Sequence, residues 1–244
     1  MGASRVSVPP PLRAEIAVPP QTLPAIKICC ISSLDEARLA TEAGASALGL
    51  VSAMPSGPGV IDEALIERIA ASVARPVETF LLTCLQRAEA IAAQHRRCRT
   101  TTLQLVDAVP LVELQRLRDL LPDVRLVQVI HVFGAASLGE AIAAAPWVDA
   151  VLLDSGNPVA AIKELGGTGR THDWQWSQRI CEAIGVPTYL AGGLHAGNVA
   201  DAVRQVRPYG LDICSGVRRD GRLDAQRLHD FMRAARGAAA ETAH

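Results

Sequence analysis

The chain has 244 residues, close to the roughly 250 that one closed eight-stranded α/β barrel uses, so a single domain is the default reading. Hydrophobic residues make up 49% and charged residues 20%, which supplies a large core and excludes a disordered chain. A formal net charge of -1, with both signs interspersed, excludes a nucleic-acid or membrane-surface binder on electrostatic grounds.

Met1 to Pro24 carries six prolines, two arginines and no continuous apolar run, so residues 1–24 read as a flexible tail without a signal peptide or a membrane span. From Ala25 onward, short branched apolar runs alternate with longer segments of helical period, the pattern of repeated βα units. Strands are expected at Ala25–Cys30, Ala47–Val51, Val77–Leu82, Thr101–Leu105, Arg125–His131, Asp149–Leu153, Pro187–Leu190 and Leu211–Ile213. Four successive starts, at 77, 101, 125 and 149, advance by 24 residues each time, the length of one strand, one helix and two short loops.

The first helix is read over Leu34–Ala43, where Leu34, Ala37, Leu39 and Ala40 share a face and Gly44 supplies a stop. Asp62–Val73 opens on an acidic turn and places Leu65, Ile66 and Ile69 at helical spacing. Further helices are expected at Gln86–Gln94, Leu111–Leu121, Ser137–Ala144, Trp174–Ile184, Ala196–Val206 and Ala225–Ala235. Eight strands each followed by a helix give an α/β protein with a single (β/α)8 barrel over residues 25–236, and residues 237–244 read as a second flexible tail. A doubly wound open sheet shows the same alternation; the strand count favours the barrel.

In such a barrel the chemistry sits at the C-terminal ends of the strands. Three glycine-rich stretches lie there: Gly166-Gly-Thr-Gly-Arg-Thr171, Ala191-Gly-Gly-Leu194 and Cys214-Ser-Gly-Val217. Glycine lets backbone N–H groups close on an anion, and barrel enzymes commonly hold phosphate in the loops after strands seven and eight. Tight-turn service is the alternative reading for Gly192, Gly193 and Gly216. Cys29 near the end of the first strand and Asp154 at the end of the sixth are a possible acid-base pair over one mouth. A cysteine in an apolar strand also reads as a small packed hydrophobe, and a strand-end carboxylate as a loop cap. Lys27 is one candidate for the positive neighbour that a thiolate needs. Cys30, by strand alternation, should point away from Cys29 and serve packing. The six cysteines, at 29, 30, 84, 98, 181 and 214, are scattered, which suits reduced thiols in a cytoplasm better than a disulfide framework or a zinc site.

With these residues in place, the chain resembles the phosphoribosylanthranilate isomerase family from Lys27 to Phe231. Lys27-Ile-Cys-Cys-Ile31 is similar to the family's Lys-Ile-Cys-Gly-Ile, and Glu42-Ala-Gly-Ala45 with Leu48-Gly-Leu50 to its next helix and strand. Val148-Asp-Ala-Val-Leu-Leu-Asp-Ser155 and Gly166-Gly-Thr-Gly-Arg-Thr-His-Asp-Trp174 look like its sixth strand and phosphate loop. Leu190-Ala-Gly-Gly-Leu194 with Asn198-Val199, and Leu211-Asp-Ile-Cys-Ser-Gly-Val217, complete the series.

The resemblance implies a tryptophan-pathway aldose-ketose isomerase working by an Amadori rearrangement, with Cys29 as general base and Asp154 as general acid. It implies a phosphate held by Gly167, Thr168, Gly169, Gly192, Gly193, Ser215 and Gly216, and no metal or organic cofactor. The expected partner is a phosphorylated sugar, met by a monomer or homodimer. Departures from the pattern gather at the aglycone end, assigned to Gln104, Arg170, Asp212 and Arg218. The second loop, Met54-Pro-Ser-Gly-Pro-Gly-Val-Ile61, lacks the family's carboxylate-gripping arginine, and Gln-Leu-His-Gly has become Gln104-Leu-Val-Asp107. Asp107, if it faced the site, would repel an anionic ring. The acidic residue expected after Ser-Gly-Val is Arg218, beside Arg219, so these arginines or Arg170 are read as substitutes for the missing cation. Two other readings stand beside the first: a divergent paralogue acting on another phosphosugar conjugate, in which Gly59→Arg would restore a cation, and a non-catalytic phosphate-binding barrel.

Overall fold

The structure is a computed structural model that describes residues 23–156, 169 and 171–242. The N-terminal segment expected as a tail lies outside the described residues apart from Leu23 and Pro24. Eight parallel strands, β1 (Ala25–Ile28), β2 (Ala47–Val51), β3 (Glu78–Thr83), β4 (Thr102–Leu105), β5 (Arg125–His131), β6 (Ala150–Asp154), β7 (Thr188–Leu190) and β8 (Gly210–Ile213), close into a barrel in chain order. The closing pair is β1 on β8, with Ala25 opposite Gly210 and Lys27 opposite Asp212.

Helices α1 (Leu34–Glu42), α2 (Glu63–Ser72), α3 (Ala88–Cys98), α4 (Leu111–Leu120), α5 (Ala135–Ala144), α6 (Trp174–Ala183), α7 (Val199–Val206) and α8 (Ala225–Thr242) follow the strands in turn. Local chemistry sets several of their starts. The Ser33 hydroxyl accepts from the Glu36 N–H at 3.1 Å, and the Asp62 carboxylate accepts from the Leu65 N–H at 2.7 Å, each satisfying a free donor of a first turn. Ile66 and Ile69 of α2, Ile91 of α3, Leu114 and Leu117 of α4 and Val199, Ala202 and Val206 of α7 are buried against the strands. They join Ile26, Leu48, Leu81, Leu103, Leu153 and Leu211, the outward-facing strand residues, in one apolar layer.

A second cluster fills the barrel interior with Ala47, Phe80, Val127, Leu152 and Tyr189 among others. Since both faces of every strand are covered, the strands read as near-continuous apolar runs, as parallel sheets do. Period two then divides each strand: in β1, Ile26 and Ile28 face the helices, and Ala25 and Lys27, followed by Cys29 just past the strand, face the interior.

One expectation is corrected and one element is added. α8 continues to Thr242 and buries Ala238 and Ala239, so residues 237–242 are helix, not a tail. A two-stranded hairpin, β9 (Arg218–Arg219) on β10 (Arg222–Leu223), precedes α8 and left no apolar run to read. Among the described residues no helix is long and apolar enough to cross a membrane.

Candidate active site

Cys29, just past the end of β1, and Asp154, the last residue of β6, line one cavity at the C-terminal mouth of the barrel. Gln104, Gly169, Gly192, Gly193, Asp212 and Ser215 line it too. Of the remaining residues expected in the site, Gly167, Thr168 and Arg170 lie outside the described residues.

Gly169, the turn after β7 and the turn after β8 meet on one side of the mouth. Gly192 and Gly193 have φ of 84° and 61°, a left-handed pair that side chains disfavour, so the backbone after β7 turns sharply over the cavity. Asn198 fixes that turn from the start of α7: its side chain accepts from the His195 N–H at 2.8 Å and donates to the Gly193 carbonyl at 3.0 Å. Gly169 lies close enough to the eighth loop that a Cβ on it would stand 3.6 Å from Ser215 Oγ. Gly216, expected in the cradle, does not line the cavity. It packs against the Leu194 carbonyl so closely that no Cβ fits, which locks the turn after β8 onto the turn after β7.

Asp154 is 8% exposed at the end of β6. Burial pushes its carboxyl above the ordinary carboxylate value, outweighing the Ser155 N–H donated at 2.7 Å and the nearby His131 and Lys27. A carboxyl shifted in this direction holds its proton more tightly than a free one, the direction that suits a general acid.

Below Cys29 on the same face of β1 sits Lys27, wholly buried and paired with Asp212 of β8 at 2.8 Å. Burial acts to discharge that amine, yet Asp212 and, more weakly, Cys29 hold it above its ordinary value, so it stays an ammonium. Its Nζ also stands 5.5 Å from the centre of the Phe80 ring. Gly49 of β2 makes room for this arrangement: a Cβ there would lie 2.9 Å from both Cys29 Sγ and Lys27 Nζ. The alternation Ala25-Ile-Lys-Ile-Cys29 carries the signal for Lys27 and Cys29 on one face; the pairing with Asp212 was not visible without the closing register.

Cys30 does not point away from the site. It has φ of 62°, so the strand alternation breaks there and its side chain joins Cys29 in the cavity wall. The chain therefore places a cysteine in left-handed geometry at the position where the family it resembles has glycine. Cys30 Sγ lies 2.8 Å from Cys214 Sγ and 3.5 Å from the Pro58 carbonyl. The loop after β2 closes over it, and a Cβ on Gly59, itself at φ of 79°, would stand 2.5 Å from Cys30 Cβ. Gly59→Arg is thus ruled out as a route to a new cation: the position is strained for any side chain and already filled.

Arg218 is not at the aglycone end either. Its guanidinium is buried, pairs with Glu36 at 3.0 Å and donates to the carbonyls of Cys29, Cys30 and Gly221. The charge seen in sequence is consumed in fastening the end of β1 to α1, because a desolvated guanidinium needs a carboxylate and acceptors around it. Glu36 answers with a carboxyl held below its ordinary value, where Arg218 and the Leu223 and Ser32 N–H groups outweigh burial. Arg219 is exposed and pairs with Asp224. Asp107 is buried outside the cavity wall and accepts from the Ala108 N–H at 2.9 Å, so it opposes no bound ring. Gln104 is 3% exposed in the cavity wall, and its carboxamide oxygen has no partner among the described residues.

The family model for N-(5′-phosphoribosyl)anthranilate (PRA) isomerase matches residues 26–234. The isomerase of Afipia carboxidovorans is 36% identical over 216 residues, covering 87% of this chain and 89% of that protein. Isomerase 2 of Methanosarcina mazei is 31% identical, covering 86% and 93%. Among solved structures, phosphoribosylanthranilate isomerase from Thermotoga maritima superposes with a TM-score of 0.76 at 24% identity, covering 88% of this chain and 100% of that one. A phosphoribosylanthranilate isomerase in complex with reduced 1-(o-carboxyphenylamino)-1-deoxyribulose 5-phosphate gives 0.74 at 23%, covering 88% and 100%, a likeness of fold. Match length, identity and barrel architecture agree, and the chain belongs to the N-(5′-phosphoribosyl)anthranilate isomerase family.

Proposed function

We propose that the chain isomerises an N-linked 5-phosphoribosyl amine to the corresponding 1-amino-1-deoxyribulose 5-phosphate, with phosphoribosylanthranilate as the substrate and tryptophan biosynthesis as its setting. The observation that carries this reading is that Cys29, Asp154 and the Gly192-Gly193 turn line one cavity. The Asp154 carboxyl donates its proton to the furanose ring oxygen, the ring opens to an iminium, and the Cys29 thiolate removes the C2′ proton to give the enolamine that becomes the ketose. Backbone N–H groups of the turn after β7, with Ser215 and Gly169, and with Gly167 and Thr168 from the rest of the sixth loop, hold the phosphate. Binding energy at that end orients the reacting carbons between acid and base. The analogue named for the solved relative carries the same two ends, a 5-phosphate and a carboxyphenylamino group.

A second reading, a different aglycone on the same phosphosugar, is favoured by one feature: among the described residues lining the cavity there is no lysine or arginine to meet a carboxylate. Arg170, outside the described residues, is the remaining candidate for that role in the first reading, and Gln104 supplies a polar contact in the cavity wall, where Asp212 is engaged by Lys27. The enzyme works in the cytoplasm, as a monomer or homodimer, in either case.

Complementation of a tryptophan auxotroph lacking this isomerase, together with loss of phosphoribosylanthranilate fluorescence in vitro, tests the substrate. Rescue and turnover are expected; neither, from a folded preparation, would leave the second reading. Cys29→Ala and Asp154→Ala are each expected to cost on the order of 10²-fold or more in kcat. Unchanged turnover in either would remove that residue's role.

A further inference from the structure

We propose that Cys30 and Cys214 are a redox pair at the barrel mouth, closing to a disulfide that lowers turnover and reopening under a thiol reductant. Two-electron oxidants of the peroxide class are the co-reactant. The inference about turnover rests on the acid-base reading of Cys29 and Asp154; the inference about the bond does not.

Geometry carries the proposal. β1 and β8 close the barrel, with Ile28 opposite Ile213 in register and the Cys29 N–H donating to the Ile213 carbonyl at 2.8 Å. The residues just beyond, Cys30 and Cys214, bring their sulfurs to 2.8 Å, so bond formation at about 2.05 Å asks for less than about 1 Å of closure. The left-handed backbone of Cys30 turns its thiol into the cavity, where β-strand alternation alone would have turned it out. Cys214 is half-buried in the same wall, so a small oxidant that enters the cavity reaches its sulfur. A redox-sensing thiol of this kind needs an accessible thiolate and a resolving thiol beside it. Cys30, then Arg218, pull the Cys214 thiol below its ordinary value against the effect of burial. Cys214 is half-buried where Cys30 is buried, so Cys214 is the attacking group and Cys30 the resolving one.

The steps balance. The Cys214 thiolate attacks one peroxide oxygen; the S–O bond forms, the O–O bond breaks, and the hydroxide released takes a proton to become water. The Cys30 sulfur then displaces the hydroxyl from Cys214, the S–S bond forms, and the Cys30 proton leaves with the hydroxyl as a second water. Two thiols lose two electrons and the peroxide gains them. A dithiol reverses the result by exchange. The bond draws Cys214 inward while the following turn stays locked to Leu194 through Gly216, so Ser215 is displaced from the phosphate cradle.

The test uses the full chain and hydrogen peroxide near stoichiometric amounts, followed by alkylation, proteolysis and mass spectrometry. Two of the six thiols are expected to disappear, in a bridged pair of peptides holding residues 30 and 214, and dithiothreitol is expected to restore both. Cys214→Ser and Cys30→Gly should each abolish the bridge; glycine suits the φ of 62° at position 30, so that variant keeps the fold. Turnover of the bridged protein is expected to fall on the order of 10²-fold, the scale of an ångström-level misplacement, and to recover with the reductant. Oxidation to sulfinic acids without a bridge, a Cys29–Cys30 bridge in its place, or full turnover in the bridged protein would each overturn the proposal. Failure of the reduced protein to turn over substrate would instead count against the isomerase reading, and the peptide map would still decide the bond.

Discussion

A carboxyl group walled into the mouth of a barrel costs the fold stability whenever it is ionised. Asp154 is buried and its carboxyl is pushed up from the ordinary value, so the native state binds its proton more tightly than the unfolded chain does. The sign follows: this group's contribution is fully favourable below the unfolded carboxylate value and is lost as pH rises through the raised folded value. Asp154→Asn removes the charge and keeps the shape. The variant is expected to melt a few degrees above the parent at neutral pH and to lose that advantage near pH 4, while remaining inactive at both. A melting point equal to or below the parent's at neutral pH would contradict the burial argument. Residue identity at this position was legible from the apolar run that it ends. What Arg218 does was not legible, because a charge next to a glycine motif reads as a ligand group until its buried partner, Glu36, comes into view from α1. Cys30 escaped for a related reason: alternation assumes extended backbone, and one left-handed residue reverses the side it faces.

At the level of elements, α7 does more than cover β7. Its first turn is preceded by Asn198, which reaches back to tie Gly193 and His195 into one conformation. The turn proposed to hold the phosphate is therefore set by a side chain that does not line the cavity. Asn198→Ala should leave a folded enzyme with a looser turn, raising KM and the inhibition constant for inorganic phosphate together by about tenfold, the size of one or two lost hydrogen bonds. Equal constants in parent and variant would show that the glycines hold the turn unaided. The elements themselves were largely written in period and turn chemistry: the ranges of β2 and β5 coincide with the apolar runs, and α1, α4 and α6 begin where their first apolar residues do. The hairpin of β9 and β10 was hidden because two-residue strands carry no periodicity, and the start of α3 lacks a side-chain cap to announce it.

For the whole molecule, the last helix closes the ring of helices as β8 closes the ring of strands. Alanine-rich sequence after Arg236 looked like a tail because small residues carry little of the apolar pattern that marks a packed face. In the fold, however, Ala238 and Ala239 are buried and Glu241 pairs with Arg204 of α7 at 3.1 Å. Ending the chain after Arg236 should lower the melting point by several degrees, mostly through lost alanine burial, since an exposed ion pair is worth less than about 1 kcal/mol. A truncated chain that melts with the parent would mean that the final turns add nothing.

The interlocking of Gly216 with Leu194 has a consequence for protein engineering. The seventh and eighth strand-end loops are commonly treated as separate cassettes for re-aiming a barrel toward new phosphorylated compounds. Here they fit one another like a tongue in a groove, with no space for even a methyl group between them. Transplanting either from another barrel would bring a mismatched joint, so the two must travel together or not at all.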